Sequence, residues 1–381
     1  MNSKVALVKC SDYSNVKESI RGVLNLINKL NIFKDKKVLL KVNLGNGGLP
    51  NEAINTHPEF VRAVIQIIHE GGGLVSVGDS SNVYGFTDEA FKLSGIDKVV
   101  FEEGATLLNF DKCKIIKKNI NGNILDFLYL PEDLFHFDIR ISLPKLKTHD
   151  MFLFTGAIKN QMGLNAGATK PLIHKKTSNL LEMANALVDI NFAVRFDFAI
   201  MDGILGMDGN GPSAGNGKWA FFVAASEDIV ALDTICCDLI GIHPNKVLTN
   251  RVGAERGLGN LDRSYIDVLG DKVIDLKTNF NLPHVQSDVT FLGIGRLFDK
   301  IKYHLKSRFV SPVVNKDKCI KCGVCEAECP GNAILRGGIY SDKSNCIRCL
   351  HCYETCPQKA ISLKSPFYLK PIFNKVRKKY H

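Results

Sequence analysis

The chain has 381 residues and a net charge of +10, with 45% apolar and 23% charged residues, and its mean hydropathy is +0.01. It is too apolar for a disordered chain, and no run approaches the roughly 18 to 20 apolar residues that span a bilayer. At about 150 residues per domain it holds two or three domains. The opening MNSKVALVKC lacks a charged head, a long apolar stretch and a small-residue cleavage site, so the expectation is a cytoplasmic protein.

In chain order, VALVKC (5–10) predicts a strand, and Val16, Ile20, Val23, Leu24, Ile27 and Leu30 then recur at helical spacing. KKVLLKVNL (36–44) predicts a buried strand leading into a glycine-rich loop. THPEFVRAVIQIIHEGG predicts a helix, with Thr56 and Glu59 as a capping box. GLVSVGDSS predicts a strand, TDEAFKLSGIDKVV a helix capped by Thr87, and ATLLNF another strand. Strand, helix, strand in repetition predicts an α/β fold, a mostly parallel sheet with flanking helices. Within 113–136, KIIKKNINGNILDFLYL with Asn121-Gly122 predicts a small antiparallel insertion. FDIRISLPKLKTH (137–149) restores a buried strand. TSNLLEMANALVDINFAV predicts a helix, FDFAIMDGI and WAFFVAAS strands, and DIVALDTICCDLIGI a helix. The α/β domain is expected over 1–292. A basic amphipathic linker helix over 293–314 follows, with Leu297, Phe298, Ile301 and Leu305 on one face.

The C-terminal region differs sharply in charge and cysteine content. From residue 300 onward 17 Lys/Arg face 5 Asp/Glu, and eight of the twelve cysteines lie there. KDKCIKCGVCEAECPGNAI (316–334) and KSNCIRCLHCYETCPQKAI (343–361) repeat at an offset of 27 residues, each carrying C-x2-C-x2-C-x3-C-P. This is the bacterial two-cluster ferredoxin spacing, in which the fourth cysteine of each run reaches the other cluster. On that rule Cys319, Cys322, Cys325 and Cys356 hold one [4Fe–4S] cluster, and Cys346, Cys349, Cys352 and Cys329 hold the second. A zinc site would show C-x2-C pairs rather than triplets followed by Cys-Pro. The expected α+β dicluster module covers 315–363. Its bound clusters lower the region's charge from +12 to about +8.

The basic-aromatic tail, 364–381, interleaves Lys370, Lys375, Arg377, Lys378 and Lys379 with Phe367, Tyr368, Ile372 and Phe373. It fits peripheral contact with an anionic membrane or a redox protein, and equally a solvated terminus. Nucleic acid is not an expected partner, since the basic residues surround cysteine loops and no recognition motif accompanies them.

In open α/β sheets ligands bind beyond the carboxyl ends of the strands, which directs attention to KVNLGNGG, GDSS, PKLKTH and GILGMDGNGP. Lys41, Asn43, Asp79, Ser80, Lys145, Lys147, Lys159, Asn160 and Asn210 are the candidate substrate-binding residues there, suited to an anionic group. His149 is the candidate proton donor. Each has a bland alternative as a solvated or turn-forming residue. Asp202 reads as a ligand or a cap, and Asp233 as the support of a loop through a buried hydrogen bond. Cys10, Cys113, Cys236 and Cys237 lack partner spacing and read as small apolar residues. No G-x-G-x-x-G follows a strand, and GMDGNGPSAGNGK departs from a P-loop, with Trp219 after Lys218. Any organic cofactor stays open.

KVNLGNGG with Asn55-Thr56-His57-Pro58, VGDSS, LPKLKTH, GAIKNQMG and DGILGMDGNGP together resemble the iron–sulfur-associated family called domain of unknown function 362, over roughly residues 36–240. The resemblance implies low-oxygen redox metabolism and an appended double ferredoxin module, and it implies no particular activity. Two classes of function follow. One is a ferredoxin-coupled reductase delivering low-potential electrons to an anionic substrate or cofactor in the α/β domain. The other is a non-enzymatic carrier or scaffold docking a partner protein. Structural or oxygen-sensing clusters are a third reading.

Overall fold

The computed structural model describes residues 2–283 and 311–364, apart from Tyr84, 167–168, Ser178, 336–338, 341–342, Arg348, Leu350 and Pro357. The strands of the first part are β1 Ser3–Lys9, β2 Lys37–Val42, β3 Leu74–Asp79, β4 Thr106–Asn109, β5 Ile115–Asn119, β6 Phe127–Pro131, β7 Ile139–Leu143, β8 Lys145–His149, β9 Leu153–Thr155, β10 Phe198–Asp208, β11 Asn216–Ser226 and β12 Ile266–Gly270. The helices are α1 Val16–Leu26, α2 Pro58–Glu70, α3 Thr87–Ser94, α4 Ile96–Glu102, α5 Ala157–Asn160, α6 Lys170–Lys176, α7 Leu180–Ala193, α8 Ile229–Leu239 and α9 Leu248–Glu255.

One sheet runs β12-β1-β11-β10-β7-β2-β3-β4, with β8 attached to β10 and β9 to β8. β2 pairs in parallel with β3 and β7, β3 with β4, β10 with β7 and β8, and β1 with β12. β11 is antiparallel to both β1 and β10. Side chains alternate faces along each strand. Ala6, Ile200 and Val223 join one apolar layer with α1 to α4, while Leu7, Met201 and Phe222 join another with α5 and α8. Each fully buried Val, Leu, Ile or Phe contributes about 1.5–3 kcal/mol. The chain leaves β2 toward β3 and β4 on one side, and returns to β7 on the other. That reversal makes a crevice at the carboxyl ends of β2 and β7.

The antiparallel insertion is the two-stranded ribbon β5-β6, packed with α7 in a third apolar cluster. Several local expectations are corrected. The segment 137–149 is two strands, because Pro144 has no N–H to continue the ladder and its carbonyl instead accepts from Asp202 N at 2.9 Å. TDEAFKLSGIDKVV is likewise two helices, parted at Gly95 with φ +73°. Thr87 caps neither, since its Oγ accepts from Ser81 N at 2.9 Å and donates to Asp111. Thr56 forms no capping box: its hydroxyl donates to Leu143 O at 2.7 Å, and His57 caps α2 by accepting from Glu59 N at 3.2 Å. Much of GILGMDGNGP lies within β10 rather than in a loop.

In the second part, β13 Ser311–Val314 pairs with β16 Ile361–Lys364, and β14 Ile334–Leu335 with β15 Ile339–Tyr340. Helices α10 Val324–Ala327 and α11 His351–Thr355 occupy matching places in the two cysteine repeats. The module thus takes in Ser311–Val314, which the apolar periodicity assigns to the linker. The remainder of that linker from 293, and the tail from residue 365, lie outside the described residues. Among the described residues no helix is long and apolar enough to cross a membrane.

Candidate functional site

At the crevice, Lys41 near the end of β2 donates to Asp79 Oδ2 and Val42 O, both at 2.8 Å, and to Asn160 Oδ1 at 3.1 Å. Asn43 Nδ2 donates to the same Asn160 oxygen at 3.2 Å, and Asn160 Nδ2 donates to Ser142 Oγ at 2.9 Å. Asp79 also accepts from Leu44 N and Ser80 N. Lys41 and Asp79 are each 1% exposed. Burial pulls the lysine's pKa down and pushes the carboxylate's up, each partner's charge opposing the shift. Gly163 closes over the pair, where a Cβ would overlap Asp79 Oδ1 and crowd Lys41 Nζ. Ser80 Oγ donates to Gly163 O at 2.8 Å.

A second buried pair lies alongside. Lys145 Nζ donates to Asp202 Oδ2 at 2.7 Å, and Tyr13 OH donates to Asp202 Oδ1 at 2.9 Å. Tyr13 stacks on His57 with ring centroids 3.6 Å apart. Burial lowers the His57 pKa to about 4, with Asp202 opposing and Lys145 reinforcing. Lys147 donates to Ile54 O at 2.8 Å. His149 is fully buried, and its Nδ1 accepts from Met151 N at 3.1 Å, which leaves the ring proton on Nε2.

The structure therefore brings Lys41, Asn43, Asp79, Ser80 and Asn160 into one network and places Lys145 in a neighbouring one. The charges of Lys41 and Lys145 are matched inside the protein, so an anion at the crevice would meet neutral pairs there. Lys159 is half-buried, its ammonium 5.7 Å from the Phe152 ring centre. Asn210, also half-buried, follows the end of β10. Asp233 accepts from Ala157 N at 2.7 Å and Ile158 N at 3.1 Å, supporting α5. Cys10, Cys236 and Cys237 are buried and Cys113 is half-buried.

Two residues of the site, Tyr13 and Lys170, carry no local sequence signal, and His57 appears in the sequence only within the Asn55–Pro58 motif. Lys170 donates to Ser80 O at 3.0 Å and to Ser81 O, and burial lowers its pKa to about 8, against the pull of Asp79 and Asp111. Gln161 and Asn165 are each 1% exposed. Among the described residues, both polar atoms of the Gln161 amide, Asn43 Oδ1 and Asn165 Oδ1 have no hydrogen-bond partner. Buried polar atoms are ordinarily paired, so these atoms are open to a polar ligand or to ordered water. Of this group Asn43 was a candidate from the sequence, and Gln161 lies within the segment GAIKNQMG.

In the C-terminal module, burial raises the Cys325 pKa, and the nearby thiols of Cys322, Cys356 and Cys319 add to the shift. Burial pushes the Cys352 thiol well above its usual range, reinforced chiefly by Cys349, Cys346 and Cys329. Cys325 thus lies near Cys356, and Cys352 near Cys329. Cys319, Cys322, Cys325 and Cys356 line one pocket together with Val314, Gly323 and Ala360. Cys329 Sγ accepts from Ala333 N and Cys356 Sγ from Ala360 N, both at 3.3 Å, the same bond in both repeats. This donor set, eight soft thiols in two groups, fits iron–sulfur clusters, on which the thiols are held as thiolates.

The family profile described as domain of unknown function 362 matches residues 38–238, just over half of the chain. The chain belongs to that family. The 4Fe-4S binding domain profile matches the same chain twice, at 312–335 and 339–362. The domain 362 protein is thus an iron–sulfur electron-transfer protein with two [4Fe–4S] clusters. It is 28% identical over 315 residues to a thylakoid-associated protein of Synechocystis, covering 81% of this chain and 97% of that one. Among solved structures, the lactate racemase apoprotein of Thermoanaerobacterium thermosaccharolyticum matches with a TM-score of 0.42 and 13% identity, over 63% of this chain and 57% of the other.

Proposed function

We propose that this protein is a cytoplasmic ferredoxin-coupled reductase of low-oxygen metabolism, in which a redox protein supplies electrons and the α/β crevice holds the polar substrate or organic cofactor that receives them. The observation that carries this reading is the buried amide of Gln161, whose two polar atoms have no hydrogen-bond partner among the described residues and which directly follows Asn160, a partner of Lys41, in a chain that also carries two clusters. Cys319, Cys322, Cys325 and Cys356 hold one cluster, and Cys346, Cys349, Cys352 and Cys329 the other. When bound, the clusters supply single electrons at low potential. Gln161, Asn43 and Asn165 recognise the ligand through both donors and acceptors. Lys170 meets its negative charge, and His149 Nε2–H offers a proton. The Lys41–Asp79 and Lys145–Asp202 pairs hold the walls rigid.

The test is anaerobic. Reduced holoprotein is mixed with fractionated small metabolites, and reoxidation is followed through the clusters' visible absorbance. One fraction is expected to reoxidise the wild type, and Gln161→Leu should slow that reaction about 5- to 150-fold, the effect of losing a buried ligand hydrogen bond worth about 1–3 kcal/mol. Reoxidation by no small-molecule fraction, but by added redox proteins, would make the chain a carrier.

A further inference from the structure

The module touches the α/β domain through the residues next to its cysteines, and the contacts are unequal between the two thiol groups. Tyr353, directly after Cys352, donates its hydroxyl to Asp150 Oδ2, and Asp150 follows His149 at the end of β8. His351, directly before Cys352, is 3% exposed and packs its ring 4.7 Å from that of His174 on α6. Its Nε2 lies 3.2 Å from Glu328, the residue before Cys329. Glu328 in turn adds to the electrostatic field on Lys170, whose ammonium bonds the Ser80 carbonyl beside Asp79. Every one of these contacts flanks Cys352 or Cys329, which fall in the same thiol group.

The other group is the more open of the two at Cys322, its remaining three thiols being half-buried like those of the first group. Cys322 is exposed, Ile320 between Cys319 and Lys321 is 63% exposed, and Lys318, Lys321 and Glu326 are all at the surface. On that side Lys359 forms a surface ion pair with Glu52 at 3.5 Å, of a kind worth little.

We propose that Tyr353, His351 and Glu328 are positioning residues, which with Asp150 and His174 seat the Cys346–Cys352 loop against the α/β crevice. The cluster held by Cys346, Cys349, Cys352 and Cys329 is then the one beside the ligand, and the cluster of Cys319, Cys322, Cys325 and Cys356 is the one presented to an external redox protein. The site is shared between the two parts of the chain. This rests on the reductase reading for the identity of the crevice, but its test needs no substrate, so the two fail separately.

The test is a redox titration of the full-length holoprotein followed by electron paramagnetic resonance. Cys322→Ser and Cys349→Ser assign the two signals. If either variant loses both clusters, a soluble dysprosium chelate makes the assignment instead, because it relaxes the solvent-facing cluster more strongly. Tyr353→Phe, and His174→Gln in the other part of the chain, should each shift the potential or line shape of the Cys349-dependent, less relaxed signal and leave the other unchanged. Two unshifted signals, or a shift confined to the Cys322-dependent signal, would overturn the proposal.

Discussion

Asp79 shows how a single residue serves the site. Its carboxylate balances Lys41, holds the turn at Leu44 and Ser80, and is roofed by Gly163. Asp79→Asn leaves a buried lysine without its counter-charge, and breaking such a pair from one side costs about 3–5 kcal/mol. Urea denaturation should show that loss, and a variant within about 1 kcal/mol of wild type would mean that the pair is far better solvated than its burial implies. His57 sets a pH dependence. Burial holds its folded pKa at about 4, below the ordinary histidine value of 6.5. The unfolded chain therefore binds the proton first as pH falls, so this contribution to stability is intact above about pH 6.5 and is lost as pH falls toward 4. His57→Phe keeps the stack on Tyr13 and should flatten the stability profile across that window. An unchanged slope would remove His57 from the account.

Elements explain why the crevice has its shape. Helix α5 is only four residues long, too short to persist alone, and its first two N–H groups are held by Asp233 from the middle of α8. Asp233→Ala should cost about 1–3 kcal/mol, the penalty of leaving those donors unmet. It should also displace Asn160 and Gln161, weakening ligand-driven reoxidation as well as lowering the urea midpoint. A change in stability with reoxidation untouched would show that α5 does not position the site. The existence of the strands was legible from apolar runs, but the break at Pro144 and the capping of α2 were not. Thr56 and Glu59 have the right spacing for a capping box, yet the Thr56 hydroxyl is taken by Leu143 O across the sheet. A tertiary partner outcompeted the local one.

Over the whole molecule, the two parts are stabilised differently. The α/β part carries three extensive apolar clusters. The buried apolar residues of the described module are few: Ala333, Ile334, Ala360 and Ile361. So small a core relies on its metal clusters to fold. Anaerobic removal of iron should therefore expose 311–364 to limited proteolysis while a resistant α/β fragment keeps its circular dichroism. Equal digestion of both parts would mean that the module is needed to hold the larger domain together.

By itself, the sequence determined whatever depends on local periodicity and spacing. It carried the alternation of strands and helices, the antiparallel ribbon and the two cysteine repeats, because each is written within some ten to thirty neighbouring residues. Only the tertiary structure decided which charges are cancelled. Lys41 and Asp79 lie 38 positions apart and Lys145 and Asp202 lie 57 apart, so their pairing depends on sheet order, which no local pattern encodes. The same holds for Tyr353 and Asp150, separated by 203 positions. Lysines that read as waiting for an anion are buried with carboxylates, since a buried charge is tolerated only beside its opposite, and long-range packing supplied those partners.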